Sequence, residues 1–227
     1  MNIEVLYEDN HLIAVNKKAG DITQGDKTGD TPLPEIVKLW LKKKYDKPGN
    51  VFCGVIHRLD RPTSGVVLFA KTSKALTRMN KLFQTKEVQK TYWAIVESKP
   101  NPSAGELTHY LTKNEQQNKS YANLREVSGS KHAELTYELK FTGDNYFLVE
   151  VDPKTGRHHQ IRVQLSTIGS VIKGDVKYGA KRSNKDGSIC LHARKVTFTH
   201  PVSQEFIEII APVPNDPLWK HFEQLDS

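Results

Sequence analysis

Cysteine is scarce in this chain. Its 227 residues include two cysteines, Cys53 and Cys190, and neither belongs to a CxxC pair. That number is too low for a disulfide framework or a zinc ribbon. Long apolar runs are missing too: no segment approaches the roughly 20 residues of a membrane span, and no basic-then-apolar signal segment opens the chain. We therefore expect a cytoplasmic protein that does not enter a membrane.

Acidic residues are too few to balance the basic ones. The chain has 33 Lys and Arg against 26 Asp and Glu, which gives a formal net charge of +7. This excess favours a polyanionic partner, although charge alone does not identify one. Hydrophobic residues make up 37% of the chain and no internal repeat is visible, so we expect residues 1–227 to form a single domain with a substantial core.

Short strand patterns outnumber helical ones. The clearest covers residues 133–141, where apolar and polar side chains alternate, and the turn at residues 143–145 returns it as a hairpin. An amphipathic helix is predicted from Leu33 after a Thr31-Pro32 cap, whereas residues 113–131 are polar and predict a mobile excursion. The pattern indicates an α+β fold with a mixed, largely antiparallel central sheet and peripheral helices.

A first polar cluster lies directly before the apolar strand pattern at residues 65–70. Its sequence is His57-Arg58-Leu59-Asp60-Arg61-Pro62-Thr63-Ser64. Flanking guanidinium groups favour the charged form of Asp60, which suits a nucleophile. A surface turn with structural salt bridges explains the same spacing equally well. A kinase catalytic loop does not, because Leu59 interrupts His-Arg-Asp and no glycine-rich loop accompanies it.

A second cluster, Arg157, His158, His159 and Arg162, lies at the start of a helix predicted over residues 158–168. Free N–H groups and the helix dipole favour an anion there. The adjacent histidines do not predict a metal site, because neighbouring helical side chains point about 100° apart. A third stretch contains Lys173, Lys177, Lys181, Arg182 and Lys185. It is either a solvated loop or a stripe that contacts phosphates.

Four motifs in order give the chain a family resemblance. Residues 57–60 with 63–65 and 70–71 resemble the active-site motif of the RluA family of RNA pseudouridine synthases. Residues 90–94 (Lys-Thr-Tyr-Trp-Ala) are similar to its tyrosine motif, and residues 155–162, followed by Gly174-Asp175 and Tyr178-Gly179, to its third motif. Residues 191–193 and 200–201 resemble its C-terminal signature. The match covers about residues 3–212.

The resemblance implies a pseudouridine synthase fold with a catalytic cleft and an enzyme that isomerises uridine in RNA. Asp60 would attack the target uridine, and Arg162 would pair with Asp60. Tyr92 would lie against the flipped base, and Arg58 would fill the gap left in the RNA stack. Such enzymes use no cofactor and no metal. Flipping costs a few kcal/mol, least in a loop or bulge, so structured RNA, either tRNA or 23S-type ribosomal RNA, is the expected partner of a monomer. The remaining RNA contacts are expected from His57, Arg61, Arg157, His158, Lys173 and Lys177.

The chain departs from the family pattern at three places. Gln164 stands where a His is usual, Lys18 where a Pro is usual, and Ser170-Val171 where His-Pro is commoner. These positions surround the motifs and are expected to bear on substrate more than on chemistry. The single domain would then be a catalytic domain without an N-terminal RNA-binding module. Two alternatives stay open: an RNA-binding or RNA-folding protein on the same fold, and, with less support from ligand spacing, a metal-dependent nuclease.

Overall fold

The computed structural model describes residues 3–25 and 29–226. In chain order the strands are β1 (Val5–Glu8), β2 (Leu12–Lys17), β3 (Gly54–Val55), β4 (Ser64–Ala70), β5 (Gln89–Val96), β6 (Ala104–Asn114), β7 (Lys119–Asn123), β8 (Lys131–Thr142), β9 (Phe147–Pro153), β10 (Leu191–Thr199) and β11 (Phe206–Ile210). The helices are α1 (Leu33–Lys44), α2 (Ser73–Gln84), α3 (Gln160–Thr167) and α4 (Pro217–Leu225), and a short 3₁₀ helix covers Val176–Tyr178. None of the helices described is long and apolar enough to cross a membrane.

The chain divides into two compact units. The first contains the chain up to Gln89 together with Ala193–Pro214, and the second contains Lys90–His192 and the segment from Asn215 onward. The sequence pattern indicated one domain, and that interpretation stays a prediction beside this division.

In the first unit, β4 forms the centre of the sheet. It pairs antiparallel with β2, with Leu12 opposite Ala70 and Lys17 opposite Gly65, and all seven of its residues are buried. Apolar side chains of β2, β4, α2, β10 and β11 make up the core. Helix α2 begins where the Thr72 hydroxyl accepts a hydrogen bond from the backbone nitrogen of Ala75, at 3.1 Å. Because β4 is fixed on both faces, the polar residues just before it occupy defined positions.

In the second unit the strand order is β5-β9-β8-β6-β7, and each of these pairings is antiparallel. Helix α3 packs against β6 and β7 and is contacted by the 3₁₀ helix. Together with the first unit this architecture confirms the predicted α+β class with a largely antiparallel sheet.

Four predicted elements differ from the structure. Residues 113–131 were expected as a mobile excursion, but they contain the end of β6, all of β7 and the start of β8, and Ser120 is 2% exposed. The sequence patterns of residues 189–193 and 196–199 predict two strands, but the structure has one strand there, β10, and α3 begins two residues later than expected. The N-cap residue of α1 is Pro32 rather than Thr31, and no side-chain hydrogen bond caps the helix. The β6–β7 hairpin was missed because its residues are largely polar, so their local composition did not distinguish strands from a loop.

Candidate active site

The loop that carries Asp60 is fixed through its main chain. The nitrogen of Thr63 donates to the carbonyl of Asp60 at 3.0 Å, and the nitrogen of Gly20 donates to the carbonyl of Arg61 at 2.9 Å. The Asp60 side chain is half-buried. The backbone around Asp60 is therefore fixed by main-chain hydrogen bonds, and a fixed backbone is what a reactive side chain requires.

Lys17 binds the main chain of this loop through its side chain. Its Nζ donates to the carbonyls of Lys18 at 3.0 Å, Arg61 at 3.0 Å and Thr63 at 2.6 Å. The residue is 1% exposed. Burial lowers the pKa of Lys17 to about 8, against the opposing influence of the Asp21 and Asp60 carboxylates. An ammonium has three donors, and here all three go to backbone carbonyls.

Gly65 allows the loop to enter β4. Its φ is +116°, and a Cβ at this position would lie 2.6 Å from the nitrogen of Ala193 and closer still to the Ala193 carbonyl oxygen. No side chain fits there, and few L residues adopt that conformation. The glycine of the Thr63-Ser64-Gly65 motif therefore has a steric explanation in this structure.

The three cationic groups predicted beside Asp60 each have a partner in the first unit. The Arg58 guanidinium is exposed and donates to Gln24, and Arg61 forms an ion pair with Asp30 at 2.5 Å. His57 accepts a hydrogen bond at Nε2 from the backbone nitrogen of Leu68, at 3.1 Å, and stacks on Phe83 with ring centroids 5.3 Å apart. Contact of these three with RNA stays a prediction, and His57 has a structural role besides.

Tyr92 lies on β5, on the face opposite Trp93. Trp93 is 2% exposed and donates from Nε1 to Glu150 at 3.2 Å, while Thr91, on the same face as Trp93, donates to Asp152 at 2.7 Å. Tyr92 is half-buried. The two neighbouring rings therefore lie on opposite faces of β5, with Trp93 buried, and the contact of Tyr92 with a flipped base stays a prediction.

Arg162 lies in the first turn of α3 and is 5% exposed. Its Nε donates to Asp175 Oδ2 at 2.7 Å and its Nη2 to Asp175 Oδ1 at 2.8 Å, a two-pronged contact with a carboxylate that is 1% exposed. In the sequence Asp175 stands out only as part of a motif, and no local pattern indicates this contact with Arg162. The pairing of Arg162 with Asp60 stays a prediction.

The other residues at the start of α3 also make internal contacts. The rings of His158 and His159 stack with centroids 3.8 Å apart, and Arg157 Nε donates to the carbonyl of His132 at 2.8 Å. Burial, followed by the nearby Arg162 charge, lowers the pKa of His159 to about 2. In the described part of the chain, no three His, Cys, Asp or Glu side chains are grouped so that they could hold a metal ion.

Two lysines of the third basic stretch support loops. Lys173 donates to Asn184 Oδ1 at 2.6 Å, and Lys177 donates to the carbonyls of Gln117 and Asn118 at 3.2 and 3.1 Å. Exposed basic side chains of this stretch are Lys181, Arg182 and Lys185. The interpretation of this basic stretch as a phosphate-contacting stripe stays a prediction. The contacts of Lys173 and Lys177 give these two residues a structural role as well.

Two departures from the family pattern have local explanations. The nitrogen of Lys18 donates to Asp21 Oδ2 at 3.1 Å, a hydrogen bond that a proline could not make. Gln164 is fully buried and donates to the carbonyl of Leu107 at 2.8 Å, with His109 Nδ1 3.1 Å away. Lys18 is exposed and its backbone supports a surface turn, whereas Gln164 uses its amide nitrogen for hydrogen bonds inside the second unit.

Comparison with known proteins identifies the class. The model of the RNA pseudouridylate synthase family matches residues 11–167. The chain is 34% identical over 223 residues to an uncharacterized RNA pseudouridine synthase of Bacillus subtilis, covering 94% of this chain and 70% of that one. It is 34% identical over 229 residues to tRNA pseudouridine synthase C of Pasteurella multocida, covering 94% and 92%. The ribosomal large subunit pseudouridine synthase C of Rickettsia felis is 31% identical, covering 92% and 67%.

A solved structure agrees in fold. The human RNA pseudouridylate synthase domain containing 4 aligns with a TM-score of 0.79 at 24% identity, over 96% of this chain and 90% of that one. The chain belongs to the RNA pseudouridylate synthase family and, within it, to the RluA group that its motifs resemble. It is an isomerase that acts on RNA.

Proposed function

We propose that this enzyme converts uridine to pseudouridine in structured RNA with Asp60 as its nucleophile. The observation that carries the proposal is the support of the Asp60 loop. Lys17 and Gly65 fix its backbone from two sides, while the half-buried Asp60 carboxylate lies in a loop rather than inside a strand or helix. A rigid main chain under a polar side chain is the arrangement that nucleophilic catalysis requires.

The bonds balance without an added reagent. Asp60 attacks either the ribose or the uracil ring, and its bond to the substrate breaks again before the product leaves. The N1 glycosidic bond of the uridine breaks, the uracil rotates, and a bond forms from C5 to the ribose C1′. The C5 hydrogen leaves as a proton, and N1 takes up a proton. In this proposal Arg162 keeps Asp60 ionised and Tyr92 lies against the flipped base, and neither role needs a metal or cofactor.

We propose tRNA or ribosomal RNA as the substrate, because the names of similar proteins point to both. Flipping costs least where the target is unpaired, so the uridine lies in a loop or bulge. Arg58, which is exposed, would fill the vacated stack. Phosphate contacts would come from the other basic residues of the three clusters. Two buried free thiols suit a cytoplasmic location.

The test is a map of pseudouridine in total RNA from cells with and without the gene. Sites lost on deletion should return with the wild-type gene and stay absent with an Asp60→Asn gene expressed at the same level. The class of RNA in which they occur identifies the substrate. An unchanged map would contradict the proposal.

The RNA-binding alternative makes a different prediction. A protein that only folds RNA would restore the growth or folding phenotype of the deletion with Asp60→Asn and would leave no uridine modified. Chelation of divalent ions should leave the rate on prefolded RNA unchanged. If chelation abolished the activity and an added metal ion restored it, the result would support the metal-dependent nuclease alternative instead.

A further inference from the structure

Tyr178 joins three segments that are distant in sequence. It ends the 3₁₀ helix after Asp175 and is 8% exposed. Its hydroxyl oxygen accepts a hydrogen bond from the backbone nitrogen of Ser120 on β7, at 2.9 Å, and lies 2.8 Å from Nδ1 of His159, the N-cap residue of α3. The proposed function assigns no task to this phenol, although it links the β6–β7 hairpin to the helix that carries Arg162.

The ring of Tyr178 contacts Arg162 directly. The guanidinium carbon lies 5.1 Å from the ring centroid, inside the range of a cation–π interaction. The backbone nitrogen of Tyr178 donates to the carbonyl of Asp175 at 3.0 Å. One short turn therefore supplies both the carboxylate and the aromatic ring that contact the Arg162 side chain.

Ser120 adds a second connection between β7 and the start of α3. Its hydroxyl donates to the carbonyl of His158 at 2.7 Å and lies 2.9 Å from His158 Nδ1. Since a serine has one hydroxyl proton, the His158 ring nitrogen must be the donor in the second contact. This bond orients the His158 ring, which stacks on His159.

His159 adopts an uncommon backbone conformation at this junction. Its φ is 53° and its ψ is 23°, the left-handed region that few non-glycine residues occupy. Such a conformation persists only where the surroundings impose it. Here the surroundings are Tyr178 at one ring nitrogen and the stacked His158 ring on one face.

We infer that Tyr178 is a positioning residue for Arg162: its hydroxyl donates to His159 Nδ1 and accepts from Ser120, and its ring supports the guanidinium. Tyr178 then connects β7, the start of α3 and the turn that contains Asp175, and together these segments fix the position of the Arg162 side chain. The inference rests on the proposed function, in which Arg162 takes part in the reaction. Because burial keeps the pKa of His159 far below its usual value, the ring is neutral and one of its nitrogens is free to accept.

The first test is kinetic. Tyr178→Phe keeps the ring beside Arg162 and removes the hydroxyl. We expect a loss of about 10- to 100-fold in the single-turnover rate of tritium release from 5-tritiated uridine in RNA, with the dissociation constant for RNA unchanged. Tyr121→Phe is the matched control, because its hydroxyl lies on the same hairpin and donates only to exposed Gln117, at 2.5 Å. Its rate should stay within about twofold of wild type.

The second test does not depend on activity. Nitrogen-15 NMR of histidine in the RNA-free protein should show His159 with its proton on Nε2, and Tyr178→Phe should shift the His159 Nδ1 signal. A proton on Nδ1 in the wild type, or a wild-type rate for Tyr178→Phe, would overturn the inference. If Tyr178→Phe does not fold, His159→Asn takes its place, because it tolerates the positive φ and removes the ring nitrogen that the Tyr178 hydroxyl contacts, and an unchanged rate overturns the inference. A wild-type enzyme that releases no tritium would instead refute the proposed function, while the NMR result still decides the hydrogen-bond arrangement.

Discussion

The two units hold their site residues in opposite ways. In the first, Lys17 and Gly65 fix the main chain around Asp60. In the second, Asp175 and Tyr178 contact the guanidinium of Arg162 itself. The difference matches the proposed tasks, because a nucleophile needs a fixed backbone below a side chain that changes partners during the reaction, whereas a charge that only orients or stabilises works best when it is immobile.

The largest effect should come from adding a side chain at Gly65, where the loop enters β4. Gly65→Ala forces a Cβ against the Ala193 backbone at a φ of +116°, and we expect a loss of more than about 4 kcal/mol of unfolding free energy. The matched control is Gly129→Ala, whose φ is +73° but whose added Cβ meets nothing within 4 Å. It should cost only about 1–2 kcal/mol. Equal denaturation midpoints in urea for the two variants would show that close approach to Ala193 does not matter.

Breaking the side-chain support of Arg162 should come next. Asp175→Asn leaves a buried guanidinium without its carboxylate, which should cost about 3–5 kcal/mol and reduce the rate of pseudouridine formation. The exposed pair of Arg61 with Asp30 is the comparison, and Asp30→Asn should cost less than about 1 kcal/mol. Urea unfolding measures both. Similar losses for the two variants would contradict the assignment of Asp175 as the support of Arg162.

The support of the main chain around Asp60 by Lys17 should contribute less to the free energy of unfolding than the support of Arg162 by Asp175. Lys17→Met removes three hydrogen bonds to carbonyls but also a buried charge, so we expect a net loss of about 2–3 kcal/mol. The neighbouring exposed Lys18→Met should change stability by less than about 0.5 kcal/mol. Amide hydrogen exchange locates the effect: protection should fall at Thr63 and Gly20, whose N–H groups donate within or to this loop, and should persist in α3. Uniform loss of protection in both units would argue against a local support.

The smallest effect, about 1 kcal/mol between pH 6 and pH 5, is a pH dependence in the second unit. Unfolded His159 gains a proton below about pH 6.5, whereas in the folded state its pKa is about 2. The unfolded state thus binds more protons between these values, so stability falls as pH falls, by up to about 1.4 kcal/mol per pH unit from this residue. His159→Asn, which tolerates the positive φ, should flatten the curve. The control His221→Asn replaces an exposed histidine, and its curve of stability against pH should run parallel to that of wild type. A parallel curve for His159→Asn would contradict the assignment.

The sequence predicted the class of fold correctly, and it singled out candidate residues for the chemistry but not the residues that support them. Asp60, Tyr92 and Arg162 stand in motifs that can be read along the chain. Lys17 looked like the end of a strand pattern, and Asp175 and Tyr178 like parts of a glycine-containing basic loop. Their roles depend on contacts with residues far away in sequence, such as Arg61 for Lys17 and Ser120 for Tyr178, and such contacts leave no local periodicity.

The hairpin β6–β7 illustrates the same limit. Its polar residues predicted an excursion, yet β6 and β7 pair over five residues, with Lys113 opposite Ser120. A strand with one face toward solvent carries few apolar residues, so composition alone did not separate it from a loop.

One measurement tests the central claim most directly: the single-turnover rate of tritium release by purified Asp60→Asn, determined beside its urea unfolding curve and its affinity for the same RNA. Because the loop is held through its main chain, the account predicts no detectable release, with the unfolding free energy within about 1 kcal/mol of wild type and RNA binding retained. Release at the wild-type rate would contradict the account.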